Sequence, residues 1–188
     1  MRLFVAAEIP PEIRQALAEL MDALKREIPG PRWVRPEGIH LTLRFLGEVA
    51  EAELPRLAGE LAVHVPGSGS PFEVRVEGMG VFPETGRPRV LWVGLVQPGG
   101  ELEKLQSVVE RALEATALAG VKPEGRPFRP HLTMARFGEG RPDPALAAAL
   151  ATRRDRTWGR FTVSSICLFQ SLLGPGGATY RKLKEQKL

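Results

Sequence analysis

The segment Ile39 to Gly47, IHLTLRFLG, returns almost unchanged at 131 to 138 as HLTMARFG, 91 positions later. No other feature of the chain constrains its fold so strongly, because two copies of one apolar strand-like segment imply a duplicated framework and one composite site. Both copies are short, apolar and rich in β-favouring residues, so side chains two apart project from the same face, about 6.6 Å from each other. His40 and Thr42 therefore point one way. Ile39, Leu41, Leu43 and Phe45 are expected to point the other way, into a core. His131 and Thr133 repeat the arrangement. A single H-x-T is explained by a buried strand whose histidine has found a backbone partner. The chain has only three histidines, however, and two of them occupy matching positions in the repeat.

The flanking pattern is duplicated too. A strand is expected over 2–8, then a helix over 11–28 whose stripe is Ile13, Leu17, Leu20, Leu24 and Ile28. Pro36-Glu37-Gly38 makes a turn into the first histidine strand. A helix over 51–64, the linker Gly67-Ser68-Gly69-Ser70, a strand over 71–77 and the Gly-rich passage EGMGVF follow. The second round has a strand over 88–96, a helix over 101–117, the loop VKPEGRPFRP, the second histidine strand, a helix over 143–151 and a strand over 160–169. A Gly-Pro-Gly-Gly turn at 174–177 and a final strand close the chain. The spacings agree: 38 residues from Arg2 to His40 against 42 from Arg89 to His131, and 32 from His40 to Phe72 against 30 from His131 to Phe161. The expected fold is α+β, one domain over 1–188. Two pseudo-twofold lobes, about 1–85 and 86–188, exchange terminal strands if the sheets demand it, with mostly antiparallel sheets flanking a central cleft.

Composition narrows the function classes. With 43% hydrophobic and 26% charged residues, the chain is ordinary globular protein. The single Cys167 excludes an internal disulfide and a cysteine-based zinc site, and its run SSICLFQS suits a small buried hydrophobe. The opening MRLFVAAEIPPEIRQ is a poor signal peptide and no stretch suffices for a membrane span, so a cytoplasmic, monomeric protein is expected. Of 26 basic residues, 20 are arginines, which grip phosphate bidentately. Genome base composition produces the same bias.

Two histidines without an accompanying carboxylate or cysteine are too few for a catalytic metal, so no metal and no cofactor are expected. No Ser-His-Asp order, oxyanion motif or Walker-type loop accompanies the threonines. General acid and base work fits better. A ring with an ordinary pKa near 6.5 can hold a proton while its twin accepts one, and each threonine can donate to a phosphate oxygen between them. His64 lies on the flank of a helical stripe and is expected to touch a helix-end carbonyl.

HLTLRFLG together with HLTMAR resembles the paired H-x-T motifs of the 2H phosphoesterase superfamily, and specifically its RNA 2′,3′-cyclic phosphodiesterases, also called 2′-5′ RNA ligases. RLFVAAEIP, WVRPEGIHLTLRFLGEV, FRPHLTMARF and FQSLLGPGGATYRKL extend the resemblance over nearly the whole chain. It implies a two-lobed LigT-like fold and, as partner, an RNA end or nucleotide bearing a 2′,3′-cyclic phosphate, opened to a 2′-phosphomonoester. Reversible 2′-5′ joining without ATP is implied as well. By the same resemblance His40 is the proton donor, His131 the proton acceptor, and Thr42 and Thr133 the phosphate-binding hydroxyls, with the two histidine labels exchangeable. Arg44, on the His40 face by strict alternation, is expected to meet phosphate. Arg136 leaves the His131 face by the same rule and is expected either to brace the strand or to meet RNA at the rim. Phe4, Trp33, Phe82, Phe128 and Tyr180 are candidates for base stacking, with core packing the alternative, and Arg126 and Arg129 for an RNA backbone. Rival readings are a 2H enzyme for another small cyclic nucleotide and a non-catalytic module that binds RNA ends.

Overall fold

The computed structural model describes residues 1–118, 121, 125–139, 143–174 and 177–188. Lys122 to Glu124 of the loop before the second histidine strand, and Pro175 and Gly176 of the Gly-Pro-Gly-Gly turn, lie outside the described residues.

The chain runs β1 (Arg2–Glu8), α1 (Pro11–Glu27), β2 (Arg32–Trp33), β3 (His40–Glu48), α2 (Leu54–His64), β4 (Phe72–Phe82), β5 (Val90–Val96), α3 (Glu101–Thr116), β6 (His131–Arg136), α4 (Ala145–Ala151), β7 (Thr157–Val163), β8 (Ser165–Gly174) and β9 (Gly177–Lys187). The apolar stripe of α1 is buried through Ile13, Leu17, Leu20, Met21 and Leu24, and α2 and α3 bury comparable stripes.

Among the described residues the strands form one antiparallel sheet in the order β7-β4-β5-β6-β3-β1-β8-β9, with β2 beside β6. That order is a palindrome about the β6-β3 contact. Each histidine strand is flanked by the opening strand of its own half, β5 or β1, and then by a strand from the other half, β4 or β8. β3 and β6 pair through Leu41 and Leu132 alone. The two histidine strands thus touch at one register point and diverge, which leaves room on either side of it.

Two expected strands differ in extent. The segment 160–169 divides at Ser164 into β7, which pairs with β4, and β8, which pairs with β1 near the opposite edge of the sheet. Its pattern carries the reason: Phe161 and Val163 alternate with exposed residues, whereas Ile166 to Phe169 are buried without interruption. The counterpart of β4 is therefore β8, not the Phe161 strand. EGMGVF belongs to a long β4 with a bulge between Val76 and Met79, where Gly78 takes a φ of +75°.

β1 is apolar on both faces. Leu3, Val5 and Ala7 join the main core, which includes the buried faces of the helices. Phe4 and Ala6 join Cys167 and Phe169 in a second, smaller cluster. The thiol of Cys167 is buried, as its run suggests, and burial pushes its pKa up to about 12. Among the described residues no helix is long and apolar enough to cross a membrane.

Candidate active site

The single Leu41–Leu132 pairing determines the geometry of the site. Extending that antiparallel register by one residue each way puts His40 opposite Thr133 and Thr42 opposite His131, all four on the face away from Leu41 and Leu132. The four side chains form a quartet with the histidines on one diagonal and the threonines on the other. On a regularly paired face diagonal neighbours have Cβ atoms about 7–8 Å apart, and β3 and β6 keep that pairing at Leu41 and Leu132.

Both imidazoles are tethered identically. His40 Nδ1 lies 2.7 Å from the Gly38 carbonyl oxygen, and His131 Nδ1 lies 2.7 Å from the Arg129 carbonyl oxygen. A carbonyl only accepts, so each Nδ1 carries the hydrogen and each Nε2 is left to take or give a proton. The His40 pKa is pushed down to about 4, chiefly by burial and in smaller part by the nearby charge of His131, against the opposing effect of the Gly38 carbonyl. His131 is lowered as well, first by burial and then by the Arg136 guanidinium. Both shifts favour the neutral rings at neutral pH.

The surroundings differ between the halves. His40 stacks on Phe4, with ring centres 4.7 Å apart, and meets the edge of Tyr180 at 5.0 Å; Phe4 in turn stacks on Phe169 at 5.3 Å. Tyr180 also packs on Gly38, where a Cβ would approach its ring to 3.2 Å, so the residue that tethers His40 leaves space for the tyrosine. Among the described residues, the one ring contact of His131 is edge-on with Phe82, at 5.0 Å. A cleft of about 480 Å³ opens beside these groups, and its lining includes His40, Thr42, Thr133, Phe45, Tyr180 and Arg136.

Arg44 and Phe45 exchange the positions expected of them. A bulge between β1 and β3 pairs Ala6 with Thr42 and Val5 with Arg44, leaving Leu43 as the extra residue. Beyond it the alternation changes phase. Arg44 is buried and pairs with Glu110 on α3, Nε to Oε1 2.8 Å, so it is a structural cation rather than part of the cleft. Phe45, expected in the core, is 53% exposed at the cleft. β6 does the same: Trp92 pairs with Thr133 and Leu91 with Ala135, Met134 is the extra residue, and Arg136 returns to the cleft face that strict alternation denied it.

Phe4 lines the cleft but is sandwiched between His40 and Phe169, so it supports the imidazole. Trp33 and Phe128 pack against the core, and neither is among the cleft's lining residues. Arg129 pairs with Glu84 and lies over Phe82, 5.9 Å from its centre, contributing its carbonyl rather than its guanidinium to the site. Arg126 is exposed and also lies outside the lining. His64 is on α2, its Nδ1 2.9 Å from the Glu60 carbonyl. Sequence reasoning missed Arg2 and Arg32, both in the cleft lining. The two-residue strand that carries Arg32 is too short to give a period, though its adjacency to the first motif was a signal.

A duplicated sheet with facing H-x-T strands defines a class, and comparison with known proteins agrees. The chain matches the family described as LigT like Phosphoesterase over residues 7–92 and again over 95–180, and it belongs to that family. An RNA 2′,3′-cyclic phosphodiesterase of Aeropyrum pernix is 38% identical over 171 residues, covering 91% of this chain and 94% of the relative. Its counterpart in Thermus thermophilus is 36% identical, covering 100% and 90%. The crystal structure of E. coli LigT complexed with 3′-AMP is similar with a TM-score of 0.77 at 26% identity, covering 100% of this chain and 97% of that one.

Proposed function

We propose that the protein is a metal-independent RNA 2′,3′-cyclic phosphodiesterase, with His40 as general acid and His131 as general base. The observation that carries this reading is the diagonal quartet. It sets His40 and His131 on one diagonal, each with Nε2 left untethered and close enough for the charge of His131 to act on His40, and Thr42 and Thr133 on the other; His40, Thr42 and Thr133 line the cleft, whose described lining residues include no carboxylate to repel an anion. The Arg136 charge that disfavours protonated His131 suits a base. A phosphate anion beside His40 favours its charged form, so the substrate itself raises the fraction of His40 able to act as acid.

In the proposed reaction His131 Nε2 takes a proton from water as the water oxygen attacks phosphorus. The P–O3′ bond breaks in line, and His40 Nε2 delivers a proton to the departing 3′ oxygen, leaving the phosphate on O2′. Thr42 and Thr133 donate to the non-bridging oxygens, where charge builds. The substrate is an RNA end or a nucleotide bearing a 2′,3′-cyclic phosphate, and the site works without a cofactor. In 2′-5′ joining a 5′-hydroxyl takes the place of water: His131 takes its proton as its oxygen attacks phosphorus, the P–O3′ bond breaks, and the 3′ oxygen leaves with the proton of His40.

The test is digestion of a 2′,3′-cyclic mononucleotide in excess chelator, with the products resolved by phosphorus NMR. A 2′-phosphomonoester is expected. A dominant 3′-phosphate means the substrate lies the other way round and removes the roles given to His40 and His131; loss of activity restored by zinc removes the metal-independent mechanism.

A further inference from the structure

The last strand of the chain reaches the first histidine. On β9 Tyr180 pairs with Ser171 and Lys182 with Phe169, so the two project from one face, the face on which Phe169 stacks on Phe4 and Phe4 on His40. Lys182 forms an ion pair with Glu8, the residue directly opposite His40 on β1. That carboxylate is thus held by a cation, and the partner of His40 Nδ1 is the Gly38 carbonyl, 2.7 Å away.

Tyr180 packs on both ends of this tether. Its ring centre lies 5.0 Å from those of His40 and Phe4, which are themselves 4.7 Å apart, and its plane is turned 88° and 78° from theirs. A ring equidistant from two stacked rings and nearly perpendicular to both stands beside the stack, not on its outer face. The same ring packs on Gly38, where a Cβ would come within 3.2 Å of Cε2. Water competes for the donor and acceptor of an open hydrogen bond, whereas apolar cover strengthens one.

The second histidine has a similar cover from a different strand. Phe82 meets His131 at the same 5.0 Å and at 85°. Tyr180 and Phe82 lie outside the repeated motif, and each comes from the half of the chain opposite to its histidine. β9 and β4 are not equivalent positions in the palindromic strand order, where the counterpart of β4 is β8. Duplication therefore explains the two tethers and leaves the two perpendicular rings unexplained.

We infer that Tyr180 is a positioning residue for His40: it closes the Nδ1 tether to water, so that the imidazole keeps one tautomer and one orientation and exchanges protons through Nε2 alone. The inference rests on the reading of His40 as general acid and adds a residue that acts through it.

Heteronuclear NMR of the ring nitrogens tests this on the protein alone. At neutral pH native His40 should show a protonated Nδ1 and a bare Nε2; a mixture of tautomers in the native protein overturns the inference. Tyr180 is 38% exposed, so Tyr180→Ala should leave the fold in place and let His40 exchange between tautomers while His131 keeps its own. On a 2′,3′-cyclic mononucleotide the same variant should lower kcat by about tenfold and leave KM within about twofold, and Tyr180→Phe, which keeps the ring, should restore both kcat and tautomer. An unchanged His40 spectrum in Tyr180→Ala overturns the inference. So does a change confined to KM, which makes Tyr180 a surface for the substrate, and so does equal mixing at His40 and His131, which is general loosening. A loss in Tyr180→Phe as large as in Tyr180→Ala moves the role from the ring to the hydroxyl and overturns it too. If the native protein turns over no cyclic nucleotide, the proposed activity fails, and the nitrogen spectra still decide whether Tyr180 fixes the ring.

Discussion

The two halves of the cleft start from one repeated motif, HLTLRFLG and HLTMARFG, and end in different surroundings. Each histidine is tethered through Nδ1 to a carbonyl two residues upstream, at 2.7 Å in both cases, and each strand bulges at the third residue after its histidine. Among the positions that line the cleft, the copies part at the fifth residue: Phe45 in one, Arg136 in the other. The His40 half is aromatic, with Phe4, Phe169 and Tyr180 around the ring. Around His131 the described residues supply one aromatic edge, that of Phe82, and a cation. Duplication supplies the positions of two proton-transfer groups, and the residues outside the repeat make those groups unequal. A symmetric pair has no reason to divide into acid and base, whereas an apolar wall on one side and a guanidinium on the other give it one.

The largest effects come from removing what the halves share. His40→Ala and His131→Ala should each lower turnover by roughly 100-fold to 10,000-fold, with little change in substrate affinity, as steady-state kinetics on a cyclic nucleotide would show. A variant that retains full turnover would break the equivalence of the halves and with it the two-histidine mechanism. Thr42→Ala and Thr133→Ala should cost less, on the order of 10-fold to 1,000-fold, since each removes one donor to the phosphate oxygens. If His64→Ala were as damaging as either histidine variant, the active pair would have been misassigned.

The shared features were legible in the sequence because they are local. Period-two alternation oriented His40 with Thr42 and His131 with Thr133, and 3.6-residue periodicity placed α1, α2 and α3 within a few residues. Arg44 and Phe45 were misplaced because a bulge inserts one residue and inverts everything after it, which alternation cannot detect. The second copy did hold a clue: Met134 and Ala135 are consecutive apolar residues, a break in alternation that the repeat would have carried back to Leu43 and Arg44. Arg32 and the division at Ser164 depend on which strands become neighbours across the sheet, and that is not written in any single segment.

A smaller effect separates the halves through stability. The His40 pKa falls from about 6.5 in the unfolded chain to about 4 in the folded one, so the native state binds fewer protons between those values. The stability tied to the neutral ring is complete above about pH 6.5 and is lost as pH falls toward 4. Denaturant unfolding of the native protein at pH 7 and pH 4.5 should therefore differ by about 2–3 kcal/mol more than in His40→Gln. His131→Gln should reduce the difference by less. Equal behaviour of the two variants would mean that the aromatic wall does not desolvate His40 more than Phe82 does His131.

The finest distinction is electrostatic and concerns the fifth residue of each copy. Arg136 disfavours the charged form of His131, so replacing it by glutamine should raise that pKa. Arg136 is exposed, and water screens most of its field, so the rise is small. The sign is definite: without the guanidinium, His131 becomes charged at a higher pH as the solution is acidified. Phe45→Arg is the mirror experiment and should push His40 lower still, because it gives the aromatic half the cation it lacks. Titration of the histidine ring protons by NMR reads both changes on the protein alone, free of any effect the arginines have on substrate. If Arg136→Gln leaves His131 where it was while His40 moves, the charge acts on the wrong half of the quartet, and the asymmetry between acid and base needs another source.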